Sequence, residues 1–259
     1  MPTNLQILTP DWPAPLWVRA CTTTRLGGVS KGVYAGLNLG DHVGDETGAV
    51  LINRAMLPTM LGFSESPCWL KQVHGTRVLI AEELSSKTIP EADGTCSKTA
   101  DVVCAILTAD CMPILLCDRS GTCVAALHAG WRGLAAGIVE AGVQSLLRWI
   151  QNPKDLFAWL GPGIGPSAYE VGEEVRSTFL AADLAAKEAF VPSPSGRWFA
   201  NMPMLARRRL ACLGVEAVYG GTHCTWTDAD RFYSYRREGI TGRMVTLIWL
   251  ARSSDALRV

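Results

Sequence analysis

The chain has no excess of either charge. Its 259 residues include 24 lysines and arginines against 24 aspartates and glutamates, so the formal net charge at pH 7 is zero. Proteins whose main partner is nucleic acid or an anionic membrane normally carry a clear basic excess, so we expect neither partner here. Apolar residues make up 48% of the sequence, which is typical of a globular chain and argues against extensive disorder.

The sequence also lacks segments that would carry the chain into or across a membrane. Its longest stretch without Asp, Glu, Lys or Arg, residues 156–169, is broken by glycine and proline and is too short to span a bilayer. The N-terminus has no basic region followed by an apolar block, as a secretion signal would have. The nine cysteines are odd in number and form no C-x-x-C pair, which is typical of reduced thiols. We therefore predict a cytoplasmic protein without a transmembrane helix.

No repeat, low-complexity tract or block of like charge marks a linker, so we predict a single domain over residues 1–259. Short apolar segments bounded by turn residues predict strands that are covered on both faces. The predicted central strands are Val102–Leu107, Ile114–Cys117 and Cys123–Leu127, and further strands are predicted near Trp17–Thr22, Val78–Ala81, Phe157–Leu160 and Met244–Trp249.

Helical patterns lie between these strands. After Gly133, apolar residues recur at helical spacing as far as Ile150, which predicts one long helix. Two further helices are predicted at Val175–Leu184 and Met204–Leu213. The segment Val191–Trp198, rich in proline, serine and glycine, predicts an exposed loop between helices. Together these elements predict a mixed α/β or α+β fold, with a central sheet covered by helices.

Two histidines and a cysteine stand where predicted strands end: His74 in KQVHG, Cys111 in TADCMP and His128 in LHAGWRG. Active sites are common at strand ends, because the strands anchor the loops rigidly while the loop residues are free of the hydrogen bonds between strands. We therefore expect the three residues to converge. Two imidazoles and a thiolate suit Zn²⁺ with a fourth position left open. The spacing equally allows a purely structural interpretation, in which the cysteine is a small buried side chain and each histidine donates a hydrogen bond to a backbone carbonyl.

Three arginines are candidates for binding an anion. Arg132 follows Gly130 at the start of a predicted helix, where unpaired N–H groups favour negative charge. Arg25 stands in TTRLGGVS, a pattern that also occurs in plain turns. Arg236 lies beside tyrosines in FYSYRREG, which can stack on a base or form an amphipathic surface strand.

Five longer blocks extend these motifs: KQVHG, TADCMPILLCD, AALHAGWRGLAAGIVE, WLGPGIGPSAYEVGEEV and FYSYRREGITGRM. In this order they resemble the laccase-domain family, also called the polyphenol oxidase family, and the similarity runs from TTRLGGVS to IWL. Members are understood as purine nucleoside phosphorylases that cleave adenosine, inosine and methylthioadenosine with phosphate, with adenosine deaminase activity beside it. A bacterial branch is also called a peptidoglycan editing factor. The resemblance implies a mixed α/β sandwich, similar to a deamidase-toxin domain that uses a Cys/His pair.

The resemblance also implies site residues and partners. It implies that His74, Cys111 and His128 hold zinc and that the partners are a small-molecule nucleoside and phosphate. The arginines predicted to bind the phosphate are Arg25, Arg132 and Arg236. Deamination needs a catalytic proton shuttle, for which Asp110 beside the cysteine and Asp93 in EADG are the candidates. Either aspartate can instead cap a turn, and this is the favoured interpretation of Asp93.

Three alternatives stay open. The older family name implies a multicopper oxidase, but four histidines without an H-x-H pair cannot supply its clusters, so only a single copper on the same three donors is conceivable. A second alternative makes Cys111 a nucleophile activated by His128, with Asp110 or a backbone carbonyl orienting the imidazole, in a metal-free amide hydrolase that edits peptidoglycan precursors. A third is a non-catalytic binding module for a nucleoside or a cell-wall precursor. His42 and the His223–Cys224 pair lie in polar turns and are left out of the metal set.

Overall fold

Two β-sheets pack face to face in the centre of the molecule. The computed structural model describes residues 5–85 and 88–252. The smaller of the two sheets is antiparallel and has the strand order β1-β2-β13-β5. Its strands are β1 (Ile7–Leu8), β2 (Val18–Thr23), β5 (Cys104–Thr108) and β13 (Met244–Leu250).

The larger sheet is mixed and has the order β12-β8-β6-β7-β4-β3. Its strands are β3 (Val78–Ile80), β4 (Gly94–Ser97), β6 (Met112–Asp118), β7 (Val124–Ala129), β8 (Leu156–Leu160) and β12 (Ala217–Gly220). The two outermost pairs are parallel and the inner pairs antiparallel. A small third sheet has the order β10-β11-β9, with β9 (Glu170–Val171), β10 (Phe190–Pro192) and β11 (Trp198–Ala200).

Helices cover the outer faces of the sheets. They are α1 (Thr47–Leu61), α2 (Trp131–Ala136), α3 (Ile138–Leu146), α4 (Glu173–Ala182) and α5 (Met202–Cys212). A sixth helix, the single turn α6 (Tyr235–Glu238), covers no sheet and has no buried residue. Single 3-10 turns or short 3-10 helices occupy Gly32–Tyr34, Ala81–Glu83, Pro153–Asp155 and Leu184–Ala189. Over residues 5–85 and 88–252, no helix has both the length and the apolar character needed to cross a bilayer.

Strand β6 shows how the layers are held together. Side chains alternate between the two faces of a strand, and here both faces are buried. Ile114 and Leu116 pack into the core formed with α3, α4 and α5. Leu115 and Cys117 face the smaller sheet, where they pack with Ile106 of β5. Helix α1 covers the far side of the smaller sheet, so the mixed α/β sandwich predicted from the sequence is confirmed.

Two local predictions are wrong. The helix predicted from Gly133 to Ile150 is two helices, because Gly137 between α2 and α3 adopts a left-handed φ of 107° that breaks the turn. The segment Val191–Trp198 is not a loop throughout, since its two ends form the β10–β11 hairpin, with the proline-rich residues at the tip. That residues 1–259 form one domain stays a prediction.

Candidate functional site

His74, Cys111 and His128 lie together at one end of the larger sheet. Their possible ligand atoms are all within 4.8 Å of one another, and the two imidazole centroids are 4.7 Å apart. The cysteine is in the tight turn between β5 and β6. The pairing of β6 with β7 places His128 opposite Pro113, which is two residues after Cys111 in the chain. His74 comes from the loop that precedes β3. Across residues 5–85 and 88–252 this is the one group of three or more such side chains with metal-binding geometry.

The backbone around the cluster is strained. His74 has a φ of 59° and Asp110 a φ of 90°, both in the left-handed region that residues other than glycine rarely adopt. Such conformations persist only where the surrounding structure enforces them, and they concentrate at functional sites. One strained residue belongs to the cluster and the other directly precedes its cysteine.

Asp93 holds the loop of His74 in its conformation. It directly precedes β4 and is fully buried. Its Oδ1 accepts hydrogen bonds from the backbone N–H of His74 at 2.9 Å and from Nδ1 of His128 at 2.8 Å. Its Oδ2 accepts from the backbone N–H groups of Val73 and Gly75, at 3.2 and 2.6 Å. One carboxylate therefore shapes the loop of one histidine and orients the ring of the other, leaving Nε2 of His128 free for the cluster.

The charges of these groups are coupled. Burial alone would raise the pKa of the Cys111 thiol, but the neighbouring His128 and His74 lower it to about 6. Burial alone would lower the pKa of His128, but Cys111 and Asp93 raise it to about 9. Burial alone would also raise the pKa of Asp93, but the hydrogen bond from His128 and those from the loop N–H groups keep it below its usual value. The sulfur is thus held as a thiolate, the form that binds metals and attacks electrophiles.

Gly130, which precedes α2, lets the backbone pass close to the cluster. A Cβ atom at this position would lie 2.6 Å from Nδ1 of His74 and 3.0 Å from Sγ of Cys111. A side chain of any size would therefore fill the space between the donors. The absence of a side chain at Gly130 therefore lets α2 begin directly beside the cluster.

The cluster opens into a cavity of about 410 Å³, a volume within the range of small-molecule sites. Besides the three donors, its wall includes Thr108, Tyr235 and Arg243. Gln72 also lines it but is committed at both ends to the backbone of Leu107, donating through Nε2 and accepting through Oε1, each at 2.8 Å. His42, which the sequence excludes from the metal set, lies in the cavity wall and outside the three-donor group.

The predicted anion-binding arginines lie elsewhere. Arg25 forms an ion pair with Glu238 at 2.9 Å. Nη1 of Arg236 donates to the carbonyl oxygen of Glu170 at 2.8 Å. Arg132 is exposed, with its guanidinium over the ring of the preceding tryptophan. None of the three is among the residues that line the cavity of the cluster, and their role in phosphate binding stays a prediction.

Asp110 lies beside the cluster but faces away from its histidines. Its Oδ1 accepts from the hydroxyl of Thr225 and its Oδ2 from the backbone N–H of Arg236, both at 2.6 Å. The aspartate that orients His128 is therefore Asp93. The interpretation of Asp93 as a plain turn cap is wrong, because its carboxylate accepts a hydrogen bond from His128, 35 residues later in the chain. The hydroxyl of Thr108 and the guanidinium of Arg243 were also missed, although Thr108 begins the TADCMP motif.

A three-donor cluster that lines a cavity is typical of an enzyme site. The chain belongs to the family described as multi-copper polyphenol oxidoreductase laccase, which matches residues 19–251. A purine nucleoside phosphorylase of Pseudomonas aeruginosa is 54% identical over 245 residues, 94% of this chain and 98% of that protein. A purine nucleoside phosphorylase of Escherichia coli (strain K12) is 48% identical, over 95% of this chain and 99% of that protein. A crystal structure of a Neisseria meningitidis protein has a TM-score of 0.89 at 46% identity, with coverage of 95% and 99%.

Proposed function

We propose that this protein is a zinc-dependent purine nucleoside phosphorylase that cleaves adenosine, inosine and methylthioadenosine with inorganic phosphate. The observation that carries the proposal is the position of the His–Cys–His cluster in the wall of a cavity of about 410 Å³, in a chain whose relatives at 54% and 48% identity are named purine nucleoside phosphorylases. The partners are then a small-molecule nucleoside and phosphate, with no role for nucleic acid or a membrane.

The three donors fit a zinc ion. Tetrahedral zinc, at about 2.0 to 2.3 Å from nitrogen and sulfur ligands, separates those ligands by about 3.3 to 3.8 Å. The donors of His74, Cys111 and His128 lie within 4.8 Å of one another, so small side-chain movements suffice. When bound, a zinc ion with three protein ligands and an open fourth position supplies Lewis-acid polarisation of a substrate oxygen.

The protein's own residues position the reactants. Asp93 accepts a hydrogen bond from Nδ1–H of His128 and so fixes the tautomer and the ring orientation. Tyr235 lies in the cavity wall, where an aromatic ring can pack against a purine. In the reaction, a phosphate oxygen forms a bond to the anomeric carbon as the glycosidic bond breaks, and the released electron pair and a proton go to the purine nitrogen.

We propose deamination of adenosine in the same cavity as a side activity, in which water adds at the purine C6 and the amino group leaves as ammonia. The residue that moves the proton is then near the cluster, and Asp110 is the proposed shuttle. Its two hydrogen bonds, from Thr225 and from the backbone of Arg236, require this residue to turn towards the cavity before it can act.

The proposal is tested by incubating the purified protein with inosine or adenosine, with and without phosphate, and separating the products by chromatography. We expect free base and ribose-1-phosphate only when phosphate is present. Inosine formed from adenosine without phosphate reports the side activity. No ribose-1-phosphate from zinc-replete protein would contradict the main proposal.

The metal itself is tested by elemental analysis of protein purified without added metal. We expect zinc near one equivalent. Copper binds the same donor types more strongly in the usual order of affinities, so copper at that level would instead favour a single-copper site. A multicopper site is not proposed, because the four histidines are too few for it and only two of them join the cluster.

A second candidate function is favoured by one observation, the line from Cys111 through His128 to Asp93. A thiol of lowered pKa, an imidazole and a buried carboxylate are the parts of a cysteine hydrolase, with Asp93 in the role predicted for Asp110. Such an enzyme would edit peptidoglycan precursors by cleaving an amide. If the protein still cleaves an amide substrate in the presence of a chelator and stops doing so after alkylation of its thiols, the cysteine hydrolase is favoured. If phosphorolysis is lost in the chelator, the zinc-dependent phosphorylase is favoured.

We also propose that the enzyme works in the cytoplasm. None of its nine cysteines, all of which lie in the described ranges, forms a disulfide. Reduced thiols of this number are typical of that compartment.

A further inference from the structure

The cavity wall holds a buried hydroxyl without a partner. Thr108, the last residue of β5, is 2% exposed and lines the cavity together with the three donors of the cluster. In the part of the chain that the structure describes, its Oγ1 has no hydrogen-bond partner. An unpaired buried hydroxyl is unfavourable, and rotation of the Thr108 side chain towards the cavity would bring this hydroxyl to a ligand atom bound there.

A cation lines the same cavity. Pairing of β5 with β13 sets Thr108 opposite Met244, the neighbour of Arg243, and Arg243 lines the same cavity. Nη1 of Arg243 donates to the carbonyl oxygens of Thr241 and Gly242, at 2.8 and 3.0 Å. Over residues 5–85 and 88–252, no carboxylate forms an ion pair with it. A guanidinium that is fixed by the backbone and forms no ion pair is suited to bind an oxyanion.

We propose that the Thr108 hydroxyl and the Arg243 guanidinium together form the subsite for inorganic phosphate, an inference that rests on the proposed phosphorolysis. Both groups donate hydrogen bonds to phosphate oxygens, and the nucleoside occupies the space between this pair and the His–Cys–His cluster. Arg243 takes the role for which the sequence suggests three other arginines, because it lines the cavity and they do not.

The hydroxyl is tested by binding of inorganic phosphate to the whole protein, measured by calorimetry without nucleoside. We expect Thr108→Val to raise the Kd for phosphate about 10-fold, the lower end of the loss expected for one hydrogen bond to a charged group. Thr108→Ser, which restores a hydroxyl, should recover most of the lost affinity. The matched control is Thr95→Val, since Thr95 is also a buried threonine whose hydroxyl lacks an oxygen or nitrogen partner, but it lies outside the cavity.

The guanidinium is tested in the same way. Arg243→Gln should raise the Kd for phosphate about 10- to 150-fold, the loss of a charged hydrogen-bond donor, and Arg243→Lys should fall between that variant and the wild type. Arg207→Gln is the matched control, because Arg207 is also half-buried and donates to two carbonyl oxygens, those of Val218 and Gly220, away from the cavity. In turnover assays the KM for phosphate should rise more than the KM for the nucleoside.

The outcomes separate this inference from the proposed function. If the wild-type protein carries out phosphorolysis and both Thr108→Val and Arg243→Gln bind phosphate as tightly as the wild type, the subsite is overturned and the proposed function stands. Phosphate binding that both variants weaken, in a protein that makes no ribose-1-phosphate, would support the subsite and contradict the function. A wild type that does not bind phosphate at all would overturn the subsite.

Discussion

The two histidines of the cluster are held in opposite ways. His128 lies in β7, an inner strand of the larger sheet, and is 4% exposed. Its backbone N–H donates to the carbonyl oxygen of Asp93 and its ring to the carboxylate of the same residue. His74 lies in a loop, is exposed and has a left-handed backbone conformation. The sheet therefore fixes one donor directly, whereas the other depends on how its loop is held.

Asp93 joins the two arrangements. Its carboxylate accepts three consecutive backbone N–H groups of the His74 loop as well as the ring of His128. A loop that would otherwise sample many conformations is thereby tied to the strand that carries the rigid donor. The difference between the histidines predicts which changes remove a donor, which loosen one and which alter stability.

Cys111 sits between the two histidines, so its loss has the largest expected effect. We expect Cys111→Ser to bind zinc at well below one equivalent and to lower the rate of phosphorolysis by more than about 100-fold. This exceeds the loss of about 10- to 100-fold that is typical for residues that only orient the metal ligands. Metal analysis and product chromatography measure the two effects. Cys224→Ser is the control, because Cys224 is also partly buried but lies outside the cluster. Equal turnover in wild type and Cys111→Ser would exclude both the phosphorylase site and the cysteine hydrolase.

Asp93→Asn tests the residue that both histidines share. The amide cannot accept all four hydrogen bonds, so we expect zinc affinity to fall about 10- to 100-fold and the free energy of unfolding to fall by about 1 to 3 kcal/mol. Competition with a chelator and urea denaturation measure these changes. Asp118→Asn is matched, because Asp118 is likewise buried and accepts backbone N–H groups, here in the turn after β6. That variant should lose stability and keep its zinc affinity, and an equal loss of zinc in both would contradict the role of Asp93.

Removing the histidines one at a time separates ligation from folding. His74→Ala and His128→Ala should both lose zinc. In chelator, only His128→Ala should lose stability, by about 1 to 3 kcal/mol, because it leaves a cavity and deprives the buried Asp93 carboxylate of a donor. His74→Ala removes an exposed ring and should change stability by less than about 0.5 kcal/mol. Equal losses in urea denaturation would mean that the sheet and the loop hold their donors alike.

Much of the site could be predicted because its donors are local signals. Each histidine and the cysteine stands in a short motif at a strand end, and the resemblance joins those motifs into one ligand set. The fold class followed from continuous apolar segments such as β6, whose two buried faces leave little choice of environment. The break at Gly137 was visible as a glycine within the helical pattern, but only the folded chain shows that it takes a left-handed conformation.

The remaining residues of the site could not be predicted, because their roles arise from contacts between distant segments. Asp93 accepts hydrogen bonds from a loop about 20 residues before it and from a strand 35 residues after it. The motif EADG by itself indicates only a turn. Arg243 and Thr108 reach the same cavity because the start of β13 pairs with the end of β5. Arg25, which has equally suggestive neighbours in the sequence, is paired with Glu238 instead.

The smallest expected effect is that of Gly130→Ala, which presses on the looser donor. Gly130 has a φ of −68°, which alanine adopts without strain, so the change acts through its Cβ alone, 2.6 Å from Nδ1 of His74. Because the His74 loop is exposed and can shift, we expect stability to fall by less than about 1 kcal/mol, below the usual cost of overpacking a core, while zinc affinity falls several-fold. Gly48→Ala, with no neighbouring atom closer than 3.6 Å, is the control. A stability loss with unchanged zinc affinity would mean that the loop is as rigid as the strand.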